Sequence, residues 1–286
     1  MEQPKVDLEA YFTRIGFARP AGAEPLHLPR TLQVLRDIQF AHACSVPFEN
    51  LDVLLHPSRG ISLDPAAIES KIVTHRRGGY CFEQNGLLIA VLGQLGFEVT
   101  PLSARVRLAR PRELTPPRTH LFGRVLLDGV PYMVDVGVGS ASPTAPLRMD
   151  TDQAQETPHD TRRIIKGEHE FARSWFHQML IEGEWCDVHE FTGEQMFPID
   201  REVANWWTST NPNAKFRHNI MAALARPDGT RVTLNTREFF HRSYRGGRSE
   251  VIEQRTIASR AELHSILHEQ FGLAMPHDAV YGVDGL

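Results

Sequence analysis

The sequence predicts an α+β protein in which helices come first, strands follow and a mixed segment closes the chain. Three observations predict it. Apolar residues in the first hundred positions recur at helical spacing. After Gly96 the composition shifts to Val- and Leu-rich stretches punctuated by turn signals at Asp128-Gly129 and Glu182-Gly183. The final third holds another hairpin signal, Pro227-Asp228-Gly229-Thr230, and one helical stretch at Arg260 to Phe271. A length of 286 residues, at roughly 150 per domain, points to two or three domains.

In the helical part, Leu32, Leu35 and Ile38 recur every three residues. Pro65 to Val73 follows Asp64, a residue suited to cap a helix N-terminus. Leu87, Leu88, Val91, Leu92 and Leu95 form one stripe of an amphipathic helix over Asn85 to Leu95, and Gly96 supplies its stop. Val99 to Leu108 and Leu121 to Val136 read as antiparallel strands. Thr151 to Arg163 is polar and poor in apolar residues, so a loop is expected there.

Composition narrows the function. Hydrophobic residues are 41% and charged residues 23%, the balance of a soluble globular chain. The net charge is −4 and no basic run reaches five residues, which argues against nucleic acid. Met1 to Phe12 is acidic and lacks an apolar core, so no signal peptide is expected. The strongest apolar run, Leu87 to Leu92, falls far short of the roughly 20 residues that span a bilayer. The three cysteines, Cys44, Cys81 and Cys186, lack CxxC spacing and predict reduced thiols in a cytoplasmic protein.

The segment richest in chemistry is Arg76-Arg77-Gly78-Gly79-Tyr80-Cys81-Phe82-Glu83-Gln84-Asn85-Gly86. Two glycines allow close backbone approach, and Cys81 then opens the helix that runs to Leu95. Cys81, Gln84, Leu88, Leu92 and Leu95 share one face, which turns the thiol inward. Free amides and the helix dipole at that end favour a thiolate. Two readings stand at this point: a small buried hydrophobe, or a nucleophile.

A nucleophilic cysteine needs a base and a group that orients the base. Fourteen histidines are too many for composition to choose among. A two-residue turn at Asp128-Gly129 pairs Leu127 with Val130 and sets His120 opposite Gly137. His120 and Asp135 then become diagonal neighbours on one sheet face, about 7–8 Å apart by Cα. A three-residue turn would put them on opposite faces.

With these residues in hand, the chain resembles the arylamine N-acetyltransferases. The resemblance is carried by Arg77-Gly78-Gly79-Tyr80-Cys81-Phe82-Glu83-Gln84-Asn85, Thr119-His120 and Val134-Asp135-Val136-Gly137-Val138-Gly139. Flanking it are Tyr11-Phe12-Thr13-Arg14-Ile15-Gly16, Val46-Pro47-Phe48-Glu49-Asn50-Leu51-Asp52 and Asn205-Trp206-Trp207-Thr208-Ser209-Thr210-Asn211-Pro212. It implies a three-domain α+β fold: a helical bundle over residues 1–97 carrying the cysteine, an antiparallel β-barrel-like domain over 98–204 carrying the histidine and aspartate, and an α/β lid over 205–286. The first two are similar to the core of papain-like and transglutaminase-type cysteine enzymes.

The resemblance also implies a Cys81-His120-Asp135 triad. It would transfer acetyl from acetyl-coenzyme A to an arylamine, hydrazine or related amine by a ping-pong route, without a metal. Phe48, Phe216 and Val138 would border the acceptor, and Thr119 and Gly137 would approach the coenzyme. A small-molecule amine and an acyl-coenzyme A are the expected partners, nucleic acid and membrane are not, and a homodimer is compatible with the outline.

Three departures from the family pattern stand out. Val138 replaces the usual Phe, Trp207 stands where Tyr is common, and Gly123 sits inside a strand, where a bulge is expected. Two other outcomes of the same triad stay open: an acyltransferase with a different donor or acceptor, such as an amide synthase, and a cysteine hydrolase. A non-catalytic binding role would leave function indifferent to Cys81.

The remaining features read as structural. Gly137-Val138-Gly139-Ser140 lacks the third glycine and following helix of a dinucleotide loop. His264 and His268 read as a solvated helix face, Arg242 to Arg248 as a solvated turn, Cys44 and Cys186 as structural thiols. An Arg77–Glu83 ion pair is expected to steady the loop before Cys81.

Overall fold

The computed structural model describes residues 5–18, 24–167 and 173–283. The first four residues of the N-terminal stretch and the last three of the third expected domain lie outside them, as does the side chain of Arg245 in the basic run.

Helix α1 (Leu8–Ile15) starts where the Asp7 carboxylate accepts the Ala10 N–H, and α2 (Leu32–Ser45) where the Thr31 hydroxyl accepts that of Val34. Strand β1 (Phe48–Glu49) and helix α3 (Leu51–Leu55) follow. Asp64 caps α4 (Pro65–Glu69) as expected, but the helix widens into a π-helical turn over Ser70–Thr74. Helix α5 (Cys81–Gln94) begins at the cysteine itself. Leu35, Ile38, Ile72, Leu88, Val91 and Leu92 are fully buried between these helices. Burying each is worth roughly 1.5–3 kcal/mol.

The middle of the chain makes eight strands: β2 (Glu98–Val106), β3 (His120–Leu127), β4 (Val130–Val134), β5 (Leu147–Arg148), β6 (Gln155–Glu156), β7 (Thr161–Gly167), β8 (Ser174–Ile181) and β9 (Glu184–Gln195). Their order is β5-β4-β3-β2-β9-β8-β7-β6, every neighbouring pair antiparallel. β5 also approaches β7, so the sheet curls toward closure. Helix α5 lies on β2 and β3, which brings Cys81 to the strand bearing His120.

Helix α6 (Pro198–Thr210) crosses the boundary drawn at 204/205. Beyond it, β10 (Met221–Ala225), β11 (Thr230–Asn235), β12 (Glu238–Arg245) and β13 (Arg248–Thr256) form a second sheet in the order β1-β10-β11-β12-β13. Helix α7 (Arg260–Phe271) covers it through Leu263, Ile266, Leu267 and Phe271. β1 is thus a strand from the helical region at the edge of the last sheet, pairing Phe48 with Ala223. Among the described residues no helix is long and apolar enough to cross a membrane.

Three expectations are corrected. Thr151 to Arg163 is not a loop throughout: β6 and the start of β7 lie in it. The strand was hidden because its inward residue is Arg162, fully buried and satisfied by Asp160. Gly123 marks no bulge, since it pairs regularly with Pro101 and Val134. A Cβ there would lie 2.7 Å from Val134 Cγ2, so close approach explains the glycine. Finally, Arg77 does not pair with Glu83. It binds Glu49 at 2.8 Å and Asp52 at 2.9 Å, while Glu83 binds Lys71 at 2.7 Å and accepts the Tyr80 N–H. Glu83 sits in the first helical turn and reaches back to the cap; Arg77, earlier in the loop, reaches β1 and α3.

Other singled-out residues are placed plainly. His264 Nε2 lies 3.2 Å from the Tyr281 hydroxyl. The basic run forms the β12–β13 turn, with Arg242 stacked 3.6 Å over Phe240. Burial pushes the Cys44 thiol up to about 12, and Cys186 is exposed.

Candidate active site

The hairpin that joins β3 to β4 sets the site. Asp128 and Gly129 have φ of +51° and +79°, the two positive values a type I′ turn requires. Leu127 therefore pairs with Val130 and Gly123 with Val134, the register expected from the sequence. His120 begins β3, Asp135 follows β4, and their side chains meet with Nε2 to Oδ2 at 2.7 Å. The other ring nitrogen, Nδ1, is not engaged by Asp135, and the neighbouring Cys81 thiol helps to raise the pKa of the imidazole.

Cys81 is only 4% exposed, His120 1% and Asp135 0%, so the cluster is shielded from bulk water. Burial alone would lower the His120 pKa. The Asp135 carboxylate outweighs it by charge and hydrogen bond, and the Cys81 thiol adds to that, lifting the imidazole to about 10. Asp135 moves the opposite way: burial disfavours its charge, yet His120 holds it well below the usual carboxylate range.

The carboxylate is fixed from both sides. Oδ1 accepts from Asn85 Nδ2 at 2.8 Å and from the Gly137 N–H at 2.9 Å. Asn85 Nδ2 also donates to Leu121 O, and its Oδ1 accepts the Val136 N–H at 2.9 Å. Gly137 passes directly over the cysteine. A Cβ there would lie 2.7 Å from Cys81 Cα and 2.7 Å from Asn85 Nδ2.

The loop before Cys81 is held by charge. Lys71 and Arg77 face Glu49, Asp52 and Glu83, giving three carboxylates for two cations. Burial raises the Glu83 pKa against the pull of Lys71. Arg14 ties the same loop to α1, donating to Ile72 O, Ser45 O, Arg76 O and Arg77 O.

Of the other expected residues, Phe48 and Phe216 come together with ring centroids 6.0 Å apart, and Phe216 meets Tyr80 at 5.8 Å. Thr119 O lies 3.6 Å from Cys81 Sγ. Val138 is buried in a cluster with Ala141, Met179 and Val188.

The chain has counterparts among known proteins. A family model described as N-acetyltransferase matches residues 31–280. Arylamine N-acetyltransferase of Escherichia coli is 38% identical over 275 residues, covering 96% of this chain and 91% of the relative. The chain belongs to the arylamine N-acetyltransferase family. Among solved structures, the arylamine N-acetyltransferase of Salmonella typhimurium superposes with a TM-score of 0.82 at 36% identity, covering 98% of this chain and 94% of that one. That of Mycobacterium marinum in complex with CoA gives 0.81 at 35%, covering 93% and 92%.

Three residues of this family member escaped the sequence reading as site residues. Asn85 stood inside the cysteine motif one helical turn below Cys81, a spacing that already placed it on the cysteine's face. Arg14, in another motif, gave no signal of burial. His189 lies on β9 with Nε2 3.5 Å from Asp135 Oδ2, and nothing local marks it among fourteen histidines. His120, Asp135 and His189 converge within 4.8 Å, with ligand types a metal could use, but the His120 and Asp135 atoms are engaged with each other.

Proposed function

We propose that this enzyme transfers acetyl from acetyl-coenzyme A to an aromatic amine or hydrazine through an acetyl group carried on Cys81. The observation that carries the reading is the buried Cys81–His120–Asp135 chain, with its 2.7 Å Nε2–Oδ2 contact and His120 raised to about 10. His120 is the base that takes the Cys81 proton as the sulfur becomes the nucleophile. The Cys81 sulfur then attacks the thioester carbonyl carbon, the carbon–sulfur bond to coenzyme A breaks, and His120 Nδ1–H protonates the departing thiolate. In the second half, the amine nitrogen attacks the acetyl-cysteine, His120 accepts its proton, and the Cys81 thiolate leaves. Asp135 holds the ring tautomer throughout and stabilises the imidazolium. Backbone N–H groups at the start of α5 supply the oxyanion site.

Coenzyme A as donor is supported by the Mycobacterium marinum relative, whose structure is a complex with CoA. The amine class is supported by the names of the relatives and by the Phe48–Phe216 pair, which offers an aromatic wall. Thr119 and Gly137 touch Cys81 and border the path of the thioester. Val138 enters this reading through its loop backbone, its side chain being committed to Ala141, Met179 and Val188.

Mixing the enzyme with acetyl-coenzyme A alone tests the reading. It predicts release of one coenzyme A per enzyme in a burst that stops until amine is added. Coenzyme A release only when amine is already present would overturn the two-step route.

A further inference from the structure

The proton accounting around Asp135 does not end at His120. Across β7, β8 and β9 runs a chain of buried side chains: Arg162, His177 and His189, each 0% exposed. Arg162 Nη1 lies 3.0 Å from His177 Nε2, His177 Nδ1 3.2 Å from His189 Nε2, and His189 Nε2 3.5 Å from Asp135 Oδ2. His177 and His189 are direct cross-strand partners, so the backbone register fixes their spacing.

Donor and acceptor logic assigns every proton on this chain. A guanidinium only donates. Arg162 Nη1 also donates to Ala141 O at 2.7 Å, and Arg162 Nη2 to Asp160 Oδ2 at 2.8 Å, which leaves the guanidinium no freedom to turn away. His177 Nε2 must therefore accept. A neutral imidazole that accepts at Nε2 carries its proton on Nδ1, so His177 donates to His189 Nε2. His189 Nε2 then presents a lone pair, and its proton sits on Nδ1, which meets no hydrogen-bond partner among the described residues. Burial, with the arginine and the neighbouring rings, outweighs the opposing pull of Asp135 and keeps both imidazoles neutral at pH 7: His189 is lowered to about 4 and His177 well below its ordinary value.

We propose that Arg162, His177 and His189 form a buried tautomer lock that denies Asp135 a proton from His189 and so reserves its Oδ2 for His120. His177 and His189 are positioning residues in this scheme, and their effect on turnover rests on the acyl-transfer reading above. Were the His189 proton on Nε2, it would draw on the same carboxylate oxygen that holds His120. The shared oxygen would weaken the grip on the base and its orientation toward Cys81.

The test is nitrogen-15 NMR of histidine-labelled protein at pH 7, which reads the tautomer directly and does not depend on catalysis. The expected spectrum shows His189 protonated on Nδ1 and bare on Nε2. A proton on Nε2, or a doubly protonated ring, would overturn the lock.

Two variants extend it. His177→Leu removes the donor to His189 and is expected to move the His189 proton to Nε2. With it, kcat drops roughly tenfold at unchanged KM for the acyl donor. His177→Gln, whose amide accepts with oxygen and donates with nitrogen, is expected to restore the tautomer and recover the lost kcat. If the tautomer moves in His177→Leu while kcat does not, the lock has no hold on Asp135 and the proposal fails. The burst of coenzyme A would still stand or fall separately. Should His177→Leu not fold, the wild-type and His177→Gln spectra decide the matter.

Discussion

Asn85 Nδ2 donates to Asp135 Oδ1 at 2.8 Å, so the helix that presents Cys81 also grips the carboxylate that holds His120. One side chain, a single helical turn below the cysteine, couples the helical layer to the β-sheet at the point where their candidate catalytic groups meet.

Truncating that side chain is therefore expected to cost both stability and turnover. Asn85→Ala leaves Leu121 O, the Val136 N–H and part of Asp135 without their partner in a dry interior. The expected loss is about 2–4 kcal/mol of unfolding free energy. Chemical denaturation measures it, and kcat should fall together with the midpoint.

The register that places His120 beside Asp135 was legible in the sequence because Asp128-Gly129 admits few turn geometries. Cys81 was legible because two glycines precede it and an apolar stripe follows. Helix α7 and the hairpin at Asp228-Gly229 were also visible, through spacing and turn chemistry. What escaped was burial of charge. Arg14, Arg162 and the Lys71 cluster are polar residues in the interior, held by partners on other elements: Ile72 for Arg14, Ala141 and His177 for Arg162, Glu83 for Lys71. Pattern reading assigns such residues to the surface, which is why the start of β7 was taken for a loop. His189 was hidden for the same reason: its contacts with Asp135 and His177 exist only after β8 and β9 pair.

His120 should titrate far from its ordinary value. Its folded pKa, near 10, lies above the usual 6.5, so the charged ring stabilises the fold. By linkage that contribution is complete below about pH 6.5 and is lost as pH rises through about 10. Asp135 acts with the opposite sign: its contribution is present above the ordinary carboxylate range and disappears as pH falls below it. NMR titration of His120 and denaturation midpoints across pH 6 to about 10.5 check the first statement.

Asp135→Asn removes the charge that outweighs burial. In that variant His120 should drop below 6.5 and be neutral at pH 7, and kcat should fall on the order of 10³–10⁴-fold. An NMR titration of the variant separates the lost charge from simple misfolding.

The charged cluster under the Cys81 loop predicts an asymmetry. Lys71→Met leaves Glu83 without its cation and Glu49 and Asp52 with Arg77 alone, and is expected to cost about 3–5 kcal/mol. Glu83→Gln keeps an acceptor for the Tyr80 N–H and trims the excess of carboxylates, so its cost should stay within about 1 kcal/mol. Thermal denaturation of the two variants side by side reads the difference.

Gly137→Ala sets a methyl group 2.7 Å from the Cys81 Cα. Backbone must move to admit it, at roughly 1–3 kcal/mol, and the displaced cysteine should lose on the order of 10²-fold in kcat. Comparison of kcat with the melting temperature tests whether the loss is local.

The central claim is that Cys81 carries the acetyl group between donor and amine. Intact-protein mass spectrometry after brief mixing with acetyl-coenzyme A tests it most directly. The account predicts a single acetyl adduct that maps to Cys81, is absent in Cys81→Ala and vanishes when an aromatic hydrazine is added. An unmodified protein that nevertheless acetylates the hydrazine, or an adduct that persists in Cys81→Ala, would contradict it.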